Sequence, residues 1–183
     1  MAVKLLSSSG GSVTLDVPVT ASNFALTVPA ASGTAMVSGN MPAFSAYKSG
    51  NQTITYNTVT KVTFDTEEFD TNNNFASSTF TPTVAGYYQI NSKLNVSGTA
   101  SRDYYASNRL YKNGSPISIF GFGFVFGFSA EMTLAQSNVV YMNGTTDYLE
   151  IYTYHVDWTA AGNLTVIGAS SYSQFSGTLV RTA

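Results

Sequence analysis

The hydrophobic positions of this chain recur at every second residue, in short runs. No window shows helical periodicity with caps. Val13, Leu15, Val17 and Val19 alternate with Thr14, Asp16 and Pro18, the period of a half-buried strand. Pro18 cannot donate to a ladder, which puts that strand at an edge or an end. Phe24, Leu26 and Val28 repeat the alternation before the turn-rich stretch PAASGTAMVSGN at 29–40. Residues 1–40 therefore read as one short β-rich segment that buries little alone. It is expected to pair with neighbouring subunits or to anchor in a larger particle. Residues 41–183 read as one domain of many short strands separated by turn signals, the spacing of a sandwich or barrel. Residues 87–96 predict a strand with Tyr88, Ile90 and Leu94 on one side. Asn113-Gly114 predicts a tight hairpin, since both residues tolerate positive φ. Asn143-Gly144 predicts a second turn, between 139–142 and 148–154.

The stretch FGFGFVFGF at 120–128 places Phe120, Phe122, Phe124, Phe126 and Phe128 on one face if the alternation is strict. Gly121, Gly123 and Gly127 fall on the other face, with Val125 between them. Each Phe can bury roughly 150 Å² or more, and five exposed in a row would invite aggregation. The strand is therefore expected to be covered on both sides. Whether one cover is a subunit contact near a symmetry axis or the whole is an intrachain core stays open at this level.

Composition sharpens the picture in one respect. Charged residues make up 10% of the 183, against about 25% in ordinary domains. A lone monomer with so little charge risks association, so much of the surface is expected to be covered by identical partners. Net charge is −2, which gives no basic footprint for nucleic acid. There are no cysteines, so disulfides and thiolate metal sites are excluded. That fits a bacterial or phage product better than a small secreted animal domain. The start, MAVKLLSSSGG, lacks the long apolar run of a signal peptide. No stretch reaches the length of a membrane span. A β-module without an export signal is what a phage makes, because its particles leave by lysis.

From Pro42 onward several pieces occur in a familiar order: PAFSAY at 42–47, VTFDTEEFDTNNNF at 62–75, and STFTPTVAGYYQINSKLNV at 78–96, with Phe80, Pro82, Gly86 and Tyr88 at its motif positions. LYKNGSPI follows at 110–117, VVYMNGTTDYLEIYTYH at 139–155 and QFSGTLV at 174–180. Together these resemble the C1q/tumour-necrosis-factor-like globular-head family, in its bacterial and phage form. Two threonines between Gly144 and Asp147 make one turn longer than the family's. The resemblance implies a ten-stranded jelly-roll sandwich that assembles as a tight trimer and binds partners through loops and the trimer surface, without catalysis. Tyr88, Phe175 and the five phenylalanines would serve the core and the trimer contacts. No G-x-y collagen stalk precedes the head. Residues 1–40 more loosely resemble β-segments that precede the C-terminal domains of phage fibres.

Catalytic chemistry finds few candidates. A nucleophile–base triad needs a histidine, and the chain has one, His155, with Asp157 two residues on. A histidine at a loop end, touching a ligand or a subunit, is the plainer reading. Asp65, Glu67, Glu68 and Asp70 form an acidic cluster that could hold Ca²⁺, though without the D-x-D-x-D-G loop. Tyr104 and Tyr105, with His155 and Trp158, fall in segments expected to be aromatic loops. Such residues give large contact area at small entropic cost, so they are the candidates for receptor or glycan binding. No cofactor is expected. The leading expectation is a non-enzymatic virion surface protein of a tailed bacteriophage: a capsid decoration or head-fibre protein, or a tail-fibre tip. It would be assembled in the host cytoplasm and exposed on the particle. Its partners would be itself, other virion proteins and a host-surface glycan or protein, with no nucleic acid and no membrane insertion. A bacterial extracellular adhesin or ligand of the same fold is the alternative, and a glycan hydrolase a third.

Overall fold

The structure, a computed structural model, describes residues 3–16, 19–23, 25, 30, 35–37, 39, 41–98, 104–125, 131–158 and 161–183, with the backbone alone at 104 and 121–125. The chain divides into two compact units, Met1–Gly33 and Thr34–Ala183.

The first unit contains an antiparallel hairpin of β1 (Val3–Leu6) and β2 (Ser12–Leu15). Val3 lies opposite Leu15 and Leu5 opposite Val13, which follows from the alternation seen in the sequence. All four side chains are exposed within this chain. The Ser7 N–H donates to the Gly11 carbonyl at 2.7 Å to close the turn. The strand expected over Phe24, Leu26 and Val28, and the positions Val17 and Pro18, lie outside the described residues.

The second unit is a two-sheet sandwich. In chain order its strands are β3 (Ala43–Tyr47), β4 (Gln52–Ile54), β5 (Thr60–Lys61), β6 (Thr66–Asp70), β7 (Phe75–Ala76), β8 (Thr79–Phe80), β9 (Gly86–Ser97), β10 (Tyr104–Lys112), β11 (Ser115–Val125), β12 (Glu131–Met142), β13 (Leu149–Asp157), β14 (Leu164–Val166) and β15 (Gln174–Thr182). One sheet runs β11-β10-β13-β8-β7, with β5 also on β13. The other runs β4-β14-β9-β15-β3-β6, with β12 on β9. Sequence-distant strands thus become neighbours: β15 lies between β3 and β9, antiparallel to both.

The core fills the space between the sheets. Phe44 stacks on Phe80 at 4.3 Å and on Phe75 at 4.8 Å, and meets Phe175 edge-on at 5.0 Å. Such ring pairs add to the burial of their area. Gly177 is opposite Phe44 on β3, and a Cβ there would sit 2.8 Å from Phe44 and from Ile90. Tyr88 is fully buried, and its hydroxyl donates to the Val84 carbonyl at 2.7 Å. Burial pushes its pKa up to about 12, so it stays a donor. At the other end of the sandwich the filling is polar. Asn108 on β10 donates to the Ser92 hydroxyl at 2.9 Å and to the Leu134 carbonyl at 3.0 Å. Gln136 donates to Asn108 at 2.7 Å and accepts from Ser118 at 3.1 Å. All four side chains are buried. Because each pairs with another, little desolvation cost is left uncompensated.

The Asn113-Gly114 hairpin forms as expected between β10 and β11, with φ of 53° and 78°. The Asn143-Gly144 turn does something else: the strands on either side of it belong to different sheets, so it is a crossover between layers. Asn143 Oδ1 accepts three successive N–H groups, from Thr145, Thr146 and Asp147. Asp147 then ties this corner to the hairpin. Its carboxylate accepts from Lys112 at 2.8 Å, from the Asn113 amide at 2.8 Å and from the Asn143 N–H at 3.0 Å. The hydrogen bonds from Lys112 and Asn113 hold its carboxyl below the usual range, against some desolvation. Gly144 has φ of 72°, and a Cβ there would lie 2.4 Å from the Ala85 nitrogen.

Gly144→Ala is therefore expected to lower stability by about 2 kcal/mol or more, from backbone strain and overpacking together. Denaturant unfolding checks this, with the exposed Gly50→Ala as the control expected to change little.

Candidate functional site

Of the four residues singled out for ligand contact, Tyr104, Tyr105 and His155 lie on adjacent strands rather than in loops, and Tyr105 and His155 face opposite ways. Tyr104 and Tyr105 open β10, and His155 lies inside β13. Their backbones pair as Tyr104 with Asp157, Tyr105 with Val156 and Ala106 with His155. The reason is legible in hindsight: 149–157 alternates strictly, with Leu149, Ile151, Thr153, His155 and Asp157 buried. His155 is consequently 1% exposed and faces the core, so it is not a surface ligand contact. Its Nε2–H donates to the Gly162 carbonyl at 2.9 Å, since a carbonyl only accepts. Its Nδ1 is buried without a hydrogen-bond partner, so no hydroxyl is poised on it for nucleophilic chemistry. Trp158, just after β13, is 57% exposed.

The acidic cluster does not converge. Asp65 accepts from the Ser49 N–H at 2.7 Å, Glu68 from the Ser45 hydroxyl at 2.6 Å, and Asp70 from the Phe75 N–H at 2.7 Å. A register shift opposite Ser45 and Ala46 leaves Glu68 as the bulged residue, which turns these carboxylates in different directions. Among the described residues no group of three or more acids or histidines could hold a metal. The calcium candidate Asp65, Glu67, Glu68 and Asp70 is thus not a site in this fold. Burial opposes ionisation of Asp65, but the Ser49 hydrogen bonds and the Lys48 charge hold its carboxyl below the usual range.

The phenylalanine run lies at a sheet edge. The β10–β11 register shifts between Ala106 and Asn108, so Gly121 and Phe122 together oppose Ser107. This backbone bulge falls within the run for which strict alternation would put all five rings on one face. Phe120 is 58% exposed within the chain and is not part of its core. The side chains of Phe122 and Phe124, and all of Phe126 and Phe128, lie outside what is described. Tyr88 and Phe175 are core residues, both fully buried.

Two surfaces stand out. The first joins the outer face of the seven-stranded sheet to the edge where β11 and β12 run close together. Val139 at 61% exposure, Tyr141 and Val180 lie on that face, with Tyr87 against Tyr141 at 5.5 Å. Phe120, opposite the inward-facing Asn108, is exposed at the β11 border, whereas the exposed Ile119 is opposite Arg109 and so lies on the outer face of the other sheet.

The second is the outer face of the other sheet, and the sequence reading missed it. Tyr111 and Tyr152 meet at a tilt of 34° with ring centres 4.2 Å apart, Tyr105 and Tyr154 meet edge-on at 6.3 Å, and the Arg109 guanidinium sits 4.5 Å over the Tyr154 ring. The available signal was the same period of two: 105, 109 and 111 on one strand, and 152 and 154 on its neighbour, share one face.

No protein-family model and no curated protein matches the sequence. Solved structures do. The globular domain of zebrafish complement 1qA is similar over 78% of this chain and 98% of its own, at 17% identity and a TM-score of 0.51. Murine APRIL is similar over 76% and 99%, at 8% and 0.53. Eiger TNF from S. frugiperda is similar over 78% and 93%, at 10% and 0.53. Likeness at these identities establishes the fold: a C1q/TNF-type jelly roll, as the sequence resemblance implied.

Burial lowers the His155 pKa from 6.5, only partly offset by the Gly162 hydrogen bond and Asp157. The folded state therefore prefers the neutral ring, and its stabilisation is fully present above the unfolded pKa. It is lost as pH falls from about 6.5 toward the lower folded value. The thermal unfolding midpoint is expected to drop between about pH 7.5 and pH 5, and His155→Gln to flatten that segment. An unchanged slope in the variant counts against this assignment.

Proposed function

We propose that this jelly roll is a non-enzymatic, homotrimeric binding module on the surface of a tailed bacteriophage virion. It would serve as a capsid decoration or head-fibre protein or as a tail-fibre tip, with residues 1–40 as the attachment segment and 41–183 as the exposed head.

One observation carries the self-association: large apolar side chains stand exposed along the β11–β12 edge and the adjoining sheet face, Phe120 and Val139 foremost. In a chain with 10% charged residues, little else keeps copies apart. An 11-residue strand and a 12-residue strand end the two sheets on that side, and long uncovered edges invite pairing with other chains. Further copies of the same chain are the economical cover. Burying what remains exposed of Val139, Tyr141, Val180 and Phe120, about half of each, is worth about 1 kcal/mol per side chain before the cost of association. Three equal heads then act together on a surface, so weak single-site contacts add into strong attachment.

The virion setting draws on the likeness of the sequence to phage and bacterial heads and on its cysteine-free composition. Under this reading the hairpin β1–β2, with its uncovered Val3, Leu5, Val13 and Leu15, needs company. An isolated two-stranded hairpin is marginal in water, and a larger particle supplies the missing cover.

Sedimentation of the purified chain is expected to give a trimer, and Val139→Asp combined with Phe120→Asp to give a folded monomer. A native chain that stays a well-dispersed monomer overturns the assembly. In the parent particle, antibody-labelled negative-stain images should place the chain on the capsid or at the tail. Removing residues 1–40 should leave a trimeric head that no longer attaches. Particles without the chain, or full attachment of the shortened form, count against the virion role.

A further inference from the structure

The face built by Tyr105, Arg109 and Tyr111 on β10 and Tyr152 and Tyr154 on β13 is more ordered than a surface needs. Each ring on β13 is fixed at its hydroxyl. The Tyr154 hydroxyl donates to Asn57 Oδ1 at 2.6 Å. Asn57 is itself held by its N–H on the His155 carbonyl at 3.1 Å, in a left-handed conformation with φ of 51°. The Tyr152 hydroxyl donates to Glu150 Oε2 at 3.2 Å. The other oxygen of that carboxylate accepts from Lys61 at 2.6 Å and Thr79 at 3.1 Å. Burial, then the charge of Glu150, raises the Tyr152 pKa, so the phenol keeps its proton.

Charge on this face is unbalanced in one direction. Lys61 and Glu150 neutralise each other. Arg109 has no carboxylate partner among the described residues. Its Nε donates to the Ser107 hydroxyl at 2.9 Å, and its guanidinium carbon lies over the Tyr154 ring. That arrangement fixes the plane of the fork and leaves the terminal N–H groups to a ligand. A fixed guanidinium matches a planar carboxylate in two parallel hydrogen bonds. Rings to either side offer flat apolar area of the kind that packs against the C–H face of a pyranose. From residue 105 to residue 111 the strand rises about 20 Å, at roughly 3.3 Å per residue, which suits a short oligosaccharide rather than a single sugar.

We propose that this face binds an acidic oligosaccharide, one carrying uronate or sialate carboxyl groups. Arg109 takes the carboxylate, while the Tyr111–Tyr152 and Tyr105–Tyr154 pairs carry the sugar rings. The proposal names the partner class for the surface-binding reading above and rests on that reading for its biological setting. The binding itself requires neither a virion nor a trimer.

The test is calorimetric titration of the full chain with trigalacturonic acid and with 3′-sialyllactose, against α-1,4-galactotriose and lactose as their uncharged comparators. At least one acidic probe should bind, with its neutral counterpart weaker by roughly tenfold, the worth of one charge-assisted contact. Added salt should narrow that gap. Arg109→Gln should remove the preference for the acidic sugar, and Tyr111→Ala should weaken both classes. Arg109→Lys keeps the charge but loses the fork, so it should fall between native and Arg109→Gln. It decides the matter if the glutamine variant shows a lowered unfolding midpoint. Absence of binding by both acidic probes overturns the proposal, as does equal binding of acidic and neutral probes or native affinity in both Arg109 variants. Sedimentation of the same samples keeps this result separate from the assembly reading: a trimer that ignores acidic sugars sinks the glycan site alone, and a monomer that binds them sinks the assembly alone.

Discussion

A sandwich of two sheets has borders, and what happens at one border governs this molecule. On one side each sheet ends in a long strand, β11 and β12, and the two run close together. Their outward N–H and C=O groups meet no further strand among the described residues. Water can satisfy those groups, but it cannot satisfy the apolar side chains beside them. The interior behind this border sets a network of amides and hydroxyls, Asn108, Gln136, Ser92 and Ser118, among the buried Leu110, Leu134 and Val140. A directional network of that kind fixes the position of β12 against β10 and β11 more sharply than apolar packing would. The border is therefore both exposed and held in place, which are the two properties a self-complementary surface needs.

The two faces of the molecule then divide the labour. The outer face of the seven-stranded sheet exposes Val139, Tyr141 and Val180 beside a polar patch of Gln89, Asn91 and Ser137. The outer face of the other sheet carries paired tyrosines braced by Asn57 and Glu150, with an arginine among them. Under the proposed assembly, association on the first would leave the second free to look outward, and a jelly roll can support both because neighbouring residues along every strand serve opposite faces.

Much of this was legible before any coordinates. Alternation located β9 and put Tyr88, Ile90 and Leu94 inside, and Asn113-Gly114 marked its hairpin, because those signals are local. Most of the losses lie in long-range pairing. Asn143-Gly144 has the residues of any turn, and nothing nearby says that its flanking strands part into different sheets. Glu67 and Glu68 sit beside Asp65 and Asp70 in sequence, yet a bulge opposite Ser45 and Ala46 disperses their carboxylates. The phenylalanine run invited a strict period of two, and nothing local signals the backbone bulge that sits opposite Ser107. His155 looked like a loop residue because histidine is polar, although the alternation of 149–157 placed it inside. The tyrosine face was missed because its members come from separate strands, and only the register of β10 on β13 makes them neighbours.

The position of β15 has a consequence for how the sandwich comes into being. It is the last strand of the fold in chain order, yet it fills the slot between β3 and β9. Until it arrives, both of those strands present an open flank, and the rings of Phe44, Phe64 and Phe75 lack the lid that Phe175 provides. Synthesis therefore yields a nascent domain that cannot close early, and the price is a window of vulnerability to misassociation at every round of translation.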